Sequence, residues 1–205
     1  LTDKYWCQTY TGEAFYYEDD KIATNPYKLE DIAHHLALIN RFGGGTIYPY
    51  SVAQHSVALS VAVWDDRQNP WLCLDALFHD AEEVYLGDIR LPMKDRCPEF
   101  RAMSAPIDAA IRKAMNDMGI PVPLTETPIV RALDRRILIN ERGFVMQPSK
   151  HKWYALEGEE GIPNLPPMLF EQMDWRAAKK KWLQMLETYL LLIKSHEGVQ
   201  KYALR

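Results

Sequence analysis

The sequence predicts an all-α helical bundle with a small N-terminal β-hairpin, and three observations predict it. Apolar residues recur at three- and four-residue spacing, as in Leu29, Ile32, Ala33, Leu36, Ala37 and Ile39, the period of a helix with one buried face. Residues that start and stop helices bound such segments, among them Ser51, Pro70 and Gly87. β-Formers gather around one turn only, Thr11-Gly12. With 205 residues, 47% of them hydrophobic and 25% charged, the chain can build one substantial core.

Taken in order, Trp6–Tyr17 reads as a hairpin, and residues 1–26 as a flap on the bundle, since no further strand offers itself as a partner. The first helix runs from about Tyr27 to Arg41-Phe42, before Gly43–Gly45. Ser51 is placed to cap the next, VAQHSVALSVAVW. Pro70, at a compatible first position, opens PWLCLDALFHDAEEVYLG, which Gly87 closes. A longer helix covers about Glu99–Met118 with Pro106 as an expected kink, and another about Pro128–Arg142. The Pro/Gly-rich stretch that follows reads as a loop. The last helix, about Asp174–Ser195, aligns Trp175, Ala178, Trp182, Met185, Tyr189 and Ile193 on one stripe. Residues 27–142 form the core unit and residues 143–205 the loop and last helix, in one domain without repeats.

A net charge of −4 argues against a nucleic-acid polymer as partner, because phosphate-backbone binders are basic. A small anion remains compatible with it, since a bound ion supplies local positive charge. Cys7, Cys73 and Cys97 are odd in number and widely spaced, which speaks against disulfides and for a cytoplasmic setting. No apolar run approaches the roughly 18 residues of a membrane span, and the first residues lack the basic-then-apolar pattern of a signal peptide.

The charged residues of LDALFHDAEEVYLGD are unusual. His79, Asp80, Glu82, Glu83 and Asp88 follow directly on an apolar helical run. His55 lies mid-helix among Val52, Val57 and Leu59, and Asp134 adjoins the apolar face of IVRALDRRILIN. One histidine on an apolar face is usually a hydrogen-bonded core residue, and Asp134 could pair with Arg131, Arg135 or Arg136. Asp is rarely buried without a partner or a metal, however, and two imidazoles with two carboxylates suit a divalent transition metal with positions left open. His34 and His35 are adjacent and diverge around their helix, so they belong to the surface or to a supporting position.

The order His55, His79-Asp80, Asp134, with 24 residues across the first interval and 54 across the last, resembles the metal signature of the HD-domain phosphohydrolases, most of all the bacterial 5′-deoxynucleotidases and the related phage dATP-type triphosphohydrolases. The resemblance covers about Asp31 to Asn140. It extends to an Arg-aromatic pair before the first histidine (Arg41-Phe42, with Phe where that group has Trp) and to acids three and eight residues after the HD aspartate (Glu83 and Asp88).

The resemblance implies an HD-domain bundle in which His55, His79, Asp80 and Asp134 hold one divalent ion (Co, Mn, Zn, Ni or Fe). It implies that Glu83 and Asp88 act on the attacking water, that Arg41 clamps the phosphate, and that Phe42 stacks on sugar or base. Bland readings stand beside each: Glu83 as a solvated helix-face charge like Glu82, Asp88 as a cap, Arg41 as a helix-end cation, Phe42 as core. The implied activity is hydrolysis of a deoxynucleoside 5′-monophosphate, with homo-oligomers as in related proteins. The alternative is a deoxynucleoside triphosphate triphosphohydrolase using an additional Mg²⁺, for which Lys94, Arg96 and Arg101 would supply charge beyond the α-phosphate. A non-catalytic nucleotide-binding regulatory module is the reading from another class. Gly43–Gly45 does not follow a strand and is no phosphate-binding loop. With no histidine between Asp80 and Asp134, no GYP tripeptide, and Val84 at the last position of HDAEEV, dinuclear, cyclic-di-GMP and alarmone hydrolases are disfavoured.

Overall fold

The structure is a computed structural model that describes residues 4–153 and 156–203. Leu1–Asp3 of the expected flap, Tyr154 and Ala155 of the expected loop, and Leu204 and Arg205 lie outside the described residues. The chain is mostly α-helical with one two-stranded antiparallel hairpin. No helix among the described residues is long and apolar enough to cross a membrane.

The hairpin pairs β1 (Trp6–Gln8) with β2 (Ala14–Tyr16), Cys7 opposite Phe15. It is fastened to the bundle. Phe15 is wholly buried and stacks on Tyr85 at 3.8 Å. The short α1 (Asp19–Ile22) leads to α2 (Leu29–Leu38). Asp31 of α2, also buried, accepts from the Thr11 amide (2.8 Å) and hydroxyl (3.0 Å). His34 stacks on Tyr10 at 3.5 Å, and His35 Nε2 accepts from the Tyr10 amide at 3.1 Å. The adjacent histidines thus hold the hairpin turn.

After α2 the chain makes a 3₁₀ turn over Arg41–Gly44. The loop to Ser51 is closed at its base, where Arg41 N donates to Tyr50 O (2.8 Å) and Val52 N to Ile39 O (3.0 Å). This sets Arg41 beside the start of α3 (Val52–Arg67). Ser51 caps α3 as its sequence predicts. Its hydroxyl accepts from the Gln54 amide (3.2 Å), and the Gln54 side chain accepts from the Ser51 amide (3.3 Å), satisfying two helix-end donors at once. Most of α3 is buried on every face, and its Ala, Ser and Val side chains let neighbours approach closely.

Asn69 caps α4 (Pro70–Phe78) by accepting from the Trp71 and Leu72 amides at 3.0 and 3.2 Å. The single helix expected from Pro70 to Gly87 is two. After Phe78 the chain tightens, with Ala81 N bonding Phe78 O (3.0 Å), Glu83 N bonding Asp80 O (3.1 Å) and Tyr85 N bonding Glu82 O (3.0 Å). It resumes as α5 (Glu83–Leu86). Such i→i+3 stretches recur where a helix is re-aimed at a functional position.

There follow α6 (Leu91–Lys94), α7 (Pro98–Asp117), which runs through Pro106, and α8 (Pro128–Val145), one turn longer than predicted. After the Pro/Gly-rich loop, with a 3₁₀ turn at Pro167–Leu169, α9 (Trp175–Ala203) closes the fold. Its buried stripe is Ala178, Trp182, Leu186, Tyr189 and Ile193. Leu186 is buried where Met185 was expected, and Met185 and Trp175 are partly buried against the core. Helices α2, α4, α8 and α9 surround α3.

A wholly buried Arg112 on α7 ties three elements together. It donates to Asp75 of α4 (2.7 Å), to Asp108 (2.8 Å) and to the Pro123 carbonyl (2.9 Å), while Asp75 accepts from Thr127 N (2.8 Å) at the start of α8. The network sets where α8 begins.

Candidate metal centre

Three elements converge behind this network. His55 sits one turn into α3, its amide bonded to Ser51 O at 3.1 Å, and is wholly buried. His79 and Asp80 follow the apolar end of α4, and Asp134 lies on α8. His55 Nε2 is 3.1 Å from His79 Nε2 and 3.1 Å from Asp134 Oδ1. His79 Nε2 is 3.0 Å from Asp80 Oδ2 and 3.7 Å from Asp134 Oδ1, and His55 Nε2 is 3.7 Å from Asp80 Oδ2. Donor atoms held at about 2.1 Å around one ion lie roughly 3.0–3.4 Å apart, so this spacing fits a shared cation. His55, His79 and Asp80 could hold a metal ion, and Asp134 Oδ1 lies beside both imidazoles.

The hydrogen bonds behind the imidazoles fix which nitrogens face inward. His79 Nδ1 is 2.8 Å from the Ala76 carbonyl, so it carries a proton. His55 Nδ1 is 2.6 Å from Glu141 Oε1 and likewise donates. With Nδ1 protonated, each ring when neutral turns an Nε2 lone pair toward the other ring and toward two carboxylates. Four electron-rich atoms at this distance require positive charge, either a metal ion or added protons. The electrostatic surroundings of each group agree with that need. Burial pulls His79 down, but Asp80 and Asp134 hold it well above its ordinary value. Burial and Arg41 lower His55, and Glu141 and Asp134 reverse this. Burial raises Asp134, but its hydrogen bonds from His55 and His79 hold it well below the usual carboxylate range. The imidazole side chains are 0% and 2% exposed, the Asp80 and Asp134 side chains 18% and 28%. The group is sealed on its histidine side and opens on its carboxylate side.

The arginines that could have neutralised Asp134 have other partners: Arg131 binds Glu126, Arg135 binds Glu159, and Arg136 donates to the Glu160 and Gly161 carbonyls.

Arg41 is buried and donates to Asp80 Oδ2 (3.2 Å) and Glu141 Oε2 (3.1 Å). It braces one donor and the carboxylate that orients His55. Phe42, half-buried, takes a left-handed conformation (φ 56°) that costs a non-glycine residue about 1–3 kcal/mol. Its ring lies 5.8 Å from Trp153. Gly43, also left-handed, leaves room that a Cβ would take from the Arg90 guanidinium at 2.7 Å.

Glu83 is 2% exposed, and burial together with Asp80 raises it well above the usual carboxyl value, partly offset by Lys94. Lys94 Nζ lies 3.2 Å from Glu83 Oε1, while Glu83 Oε2 is buried without a hydrogen-bond partner. Asp88 is half-buried and its Oδ2 is likewise unpartnered. Glu82, expected as a solvated charge, is instead 9% exposed. Burial, with Asp80, pushes it up to about 7, and its Oε1 accepts from Ser104. The tight bend after Phe78 turns it inward.

Glu141 is absent from the sequence expectations, although it binds both His55 and Arg41. Its signal is spacing. It stands seven residues after Asp134, two helical turns on, hence on the same face of α8.

The fold and site define a helical protein with an internal two-histidine, carboxylate group able to hold a metal ion. The chain is similar to the uncharacterized protein YfdR of Escherichia coli (strain K12), 38% identical over 151 residues, which are 74% of this chain and 78% of that protein. It belongs to the YfdR family. It is also similar to the uncharacterized protein RCAP_rcc00048 of Rhodobacter capsulatus, 47% identical over 122 residues, 56% of this chain and 59% of that protein. No family model matches the chain.

Proposed function

We propose that the protein is a metal-dependent phosphohydrolase of the HD-domain type, and specifically a 5′-deoxynucleotidase that converts a deoxynucleoside 5′-monophosphate and water to deoxynucleoside and phosphate. The observation that carries this reading is the convergence of His55, His79, Asp80 and Asp134 within 3.0–3.7 Å along five donor–donor distances. A divalent ion held there would act as a Lewis acid and lower the pKa of a coordinated water.

The chain's own groups account for the rest. Water adds to phosphorus, the bond to O5′ breaks, and Glu83 Oε2 carries the proton from that water to the departing O5′. Burial, with Asp80 beside it, makes this carboxylate more basic than a solvated one, which strengthens it as acceptor of the water's proton. Asp88, through its unpartnered Oδ2, helps to orient the water. Arg41 holds Asp80 in place through its bond to Oδ2 and presents positive charge beside it.

Lys94 is paired with Glu83 and Arg101 with Asp95, so two of the three cations invoked for a triphosphate tail are already engaged. That favours the monophosphate over the triphosphate.

The test is a panel of deoxy- and ribonucleoside mono-, di- and triphosphates with Mn²⁺, Co²⁺, Zn²⁺ and Mg²⁺, with product identification. Inorganic phosphate from monophosphates is the expected result. Triphosphate as product would move the assignment to the triphosphohydrolases, and no turnover with any metal would withdraw it. Glu83→Gln should bind metal as the parent does and lose about 10²–10⁴-fold in kcat. Equal loss of metal and turnover would remove Glu83 from the proton-transfer role.

A further inference from the structure

The hairpin is joined to the short helix that carries Glu83. Side chains alternate across a strand, so Phe15 and Cys7 opposite it share the inward face, and Trp6 and Tyr16 the outward one. From the inward face Phe15, wholly buried, stacks on the Tyr85 ring at 3.8 Å, and Tyr27 meets both rings edge-on at 5.8 and 5.7 Å. Just after β2, Tyr17 Oη donates to the Tyr85 carbonyl at 2.6 Å. That carbonyl lies in the last turn of α5, where a helix leaves its carbonyls without an internal partner. The ring of His35, whose Nε2 accepts from the Tyr10 amide, also faces the Val84 backbone.

A four-residue helix does not hold itself, since isolated helices shorter than about 12–15 residues are marginal in water. The place of α5 is therefore set by what packs on it, and Glu83 depends on that place. Its Oε2 is unpartnered, and its Oε1 is bonded by Lys94, which comes from α6, a helix that buries none of its residues. That is a weak anchor for a buried carboxylate. We propose that the hairpin is a brace for the site: Tyr17 and Phe15 hold Tyr85, and through it they hold Glu83 in register with the metal-binding group. Tyr17 is thus a positioning residue, acting through α5 and touching neither ion nor substrate. The inference rests on the phosphohydrolase reading, which gives Glu83 its task.

The experiment uses Tyr17→Phe, which removes the hydroxyl and keeps the ring, with Trp6→Ala on the outward face as control. Hydrogen exchange should quicken about tenfold at the Leu86 and Gly87 amides, whose bonds close α5, and stay parental along α3. Mn²⁺ affinity should also stay parental, because none of His55, His79, Asp80 and Asp134 lies on the hairpin or on α5. With deoxynucleoside monophosphates and Mn²⁺, kcat should fall about 10–100-fold with KM unchanged. The same substitution in a Glu83→Gln background should cost nothing more, since the proton carrier that it positions is already disabled. Trp6→Ala should match the parent throughout. Parental exchange at Leu86 and Gly87 in Tyr17→Phe overturns the brace. A parental kcat, or a loss equally large in the Glu83→Gln background, overturns the link to Glu83. Failure of the hydrolase reading is separate: the parent releases no phosphate from any monophosphate, and the exchange result still decides whether the hairpin holds α5.

Discussion

At the scale of single residues, the site is built from partners behind the donors as much as from the donors themselves. Glu141 takes the Nδ1 proton of His55 and one arm of Arg41. Carboxylates in this supporting position typically contribute 10–100-fold to metal affinity. Glu141→Gln should therefore fold and weaken Mn²⁺ binding by about that factor, read by competition with a chromogenic chelator. Asp134→Asn, which removes a donor charge, should abolish measurable binding. If Glu141→Gln binds as tightly as the parent, the orienting role is wrong. His79 and Asp80, which with His55 could hold an ion, were legible because His-Asp after an apolar run is hard to explain otherwise. Glu141 was not, because in DRRILINER it stands among charges that look like an exposed helix face. Only the seven-residue step from Asp134, combined with knowledge of which face is buried, singles it out.

At the scale of elements, the network around Arg112 decides where α8 delivers Asp134. A buried cation with two carboxylate partners contributes little net stability when intact, but removing one member leaves charges uncompensated, at about 3–5 kcal/mol. Arg112→Ala should lower the unfolding free energy by about that amount in urea denaturation. Arg112→Met, similar in volume but still leaving Asp75 and Asp108 unpaired, should recover only part of it. A loss below about 1 kcal/mol would show that the network does not hold α8. The long helices were readable from periodicity and from their end signals, whereas the one-turn α1 and α6 were not, each being too short to show a period. The break after Phe78 was not, because the apolar pattern runs without interruption into His79. The chain leaves regular geometry there through tertiary demand, turning Glu82 inward, and no proline or glycine marks the place.

At the scale of the molecule, an ion held by His55, His79 and Asp80 would link metal binding to folding. An ion that binds only the native state at 100 times its Kd adds about 2.7 kcal/mol. Chelation should accordingly lower the Tm of the parent and leave Asp134→Asn unchanged, as read by differential scanning calorimetry. The pH dependence follows from the raised imidazoles of His55 and His79. A group whose folded pKa is raised contributes fully below its unfolded value, about 6.5 for histidine, and the contribution is lost as pH rises through the folded pKa. The metal-free protein should therefore lose stability as pH rises above about 6.5. Metal binding displaces those protons, so the Tm increment from Mn²⁺ should grow over the same interval. An increment that shrinks with rising pH would mean that the ion does not bind at the imidazoles.

The crowding of α3 has a further consequence. Ala53, Ala58 and Ala62 are at most 1% exposed, and the helix is enclosed by α2, α4, α8 and α9. A methyl group gained at any of the three would push a neighbouring rod outward, with overpacking costs of about 1–3 kcal/mol. Because α3 carries one imidazole while α4 leads into the other, such a swelling would separate the two rings before it unfolded the chain. Natural variation at these three alanines should therefore be confined to the smallest side chains, and a saturation library selected first for solubility and then for Mn²⁺ retention should lose bulky substitutions at the second sieve.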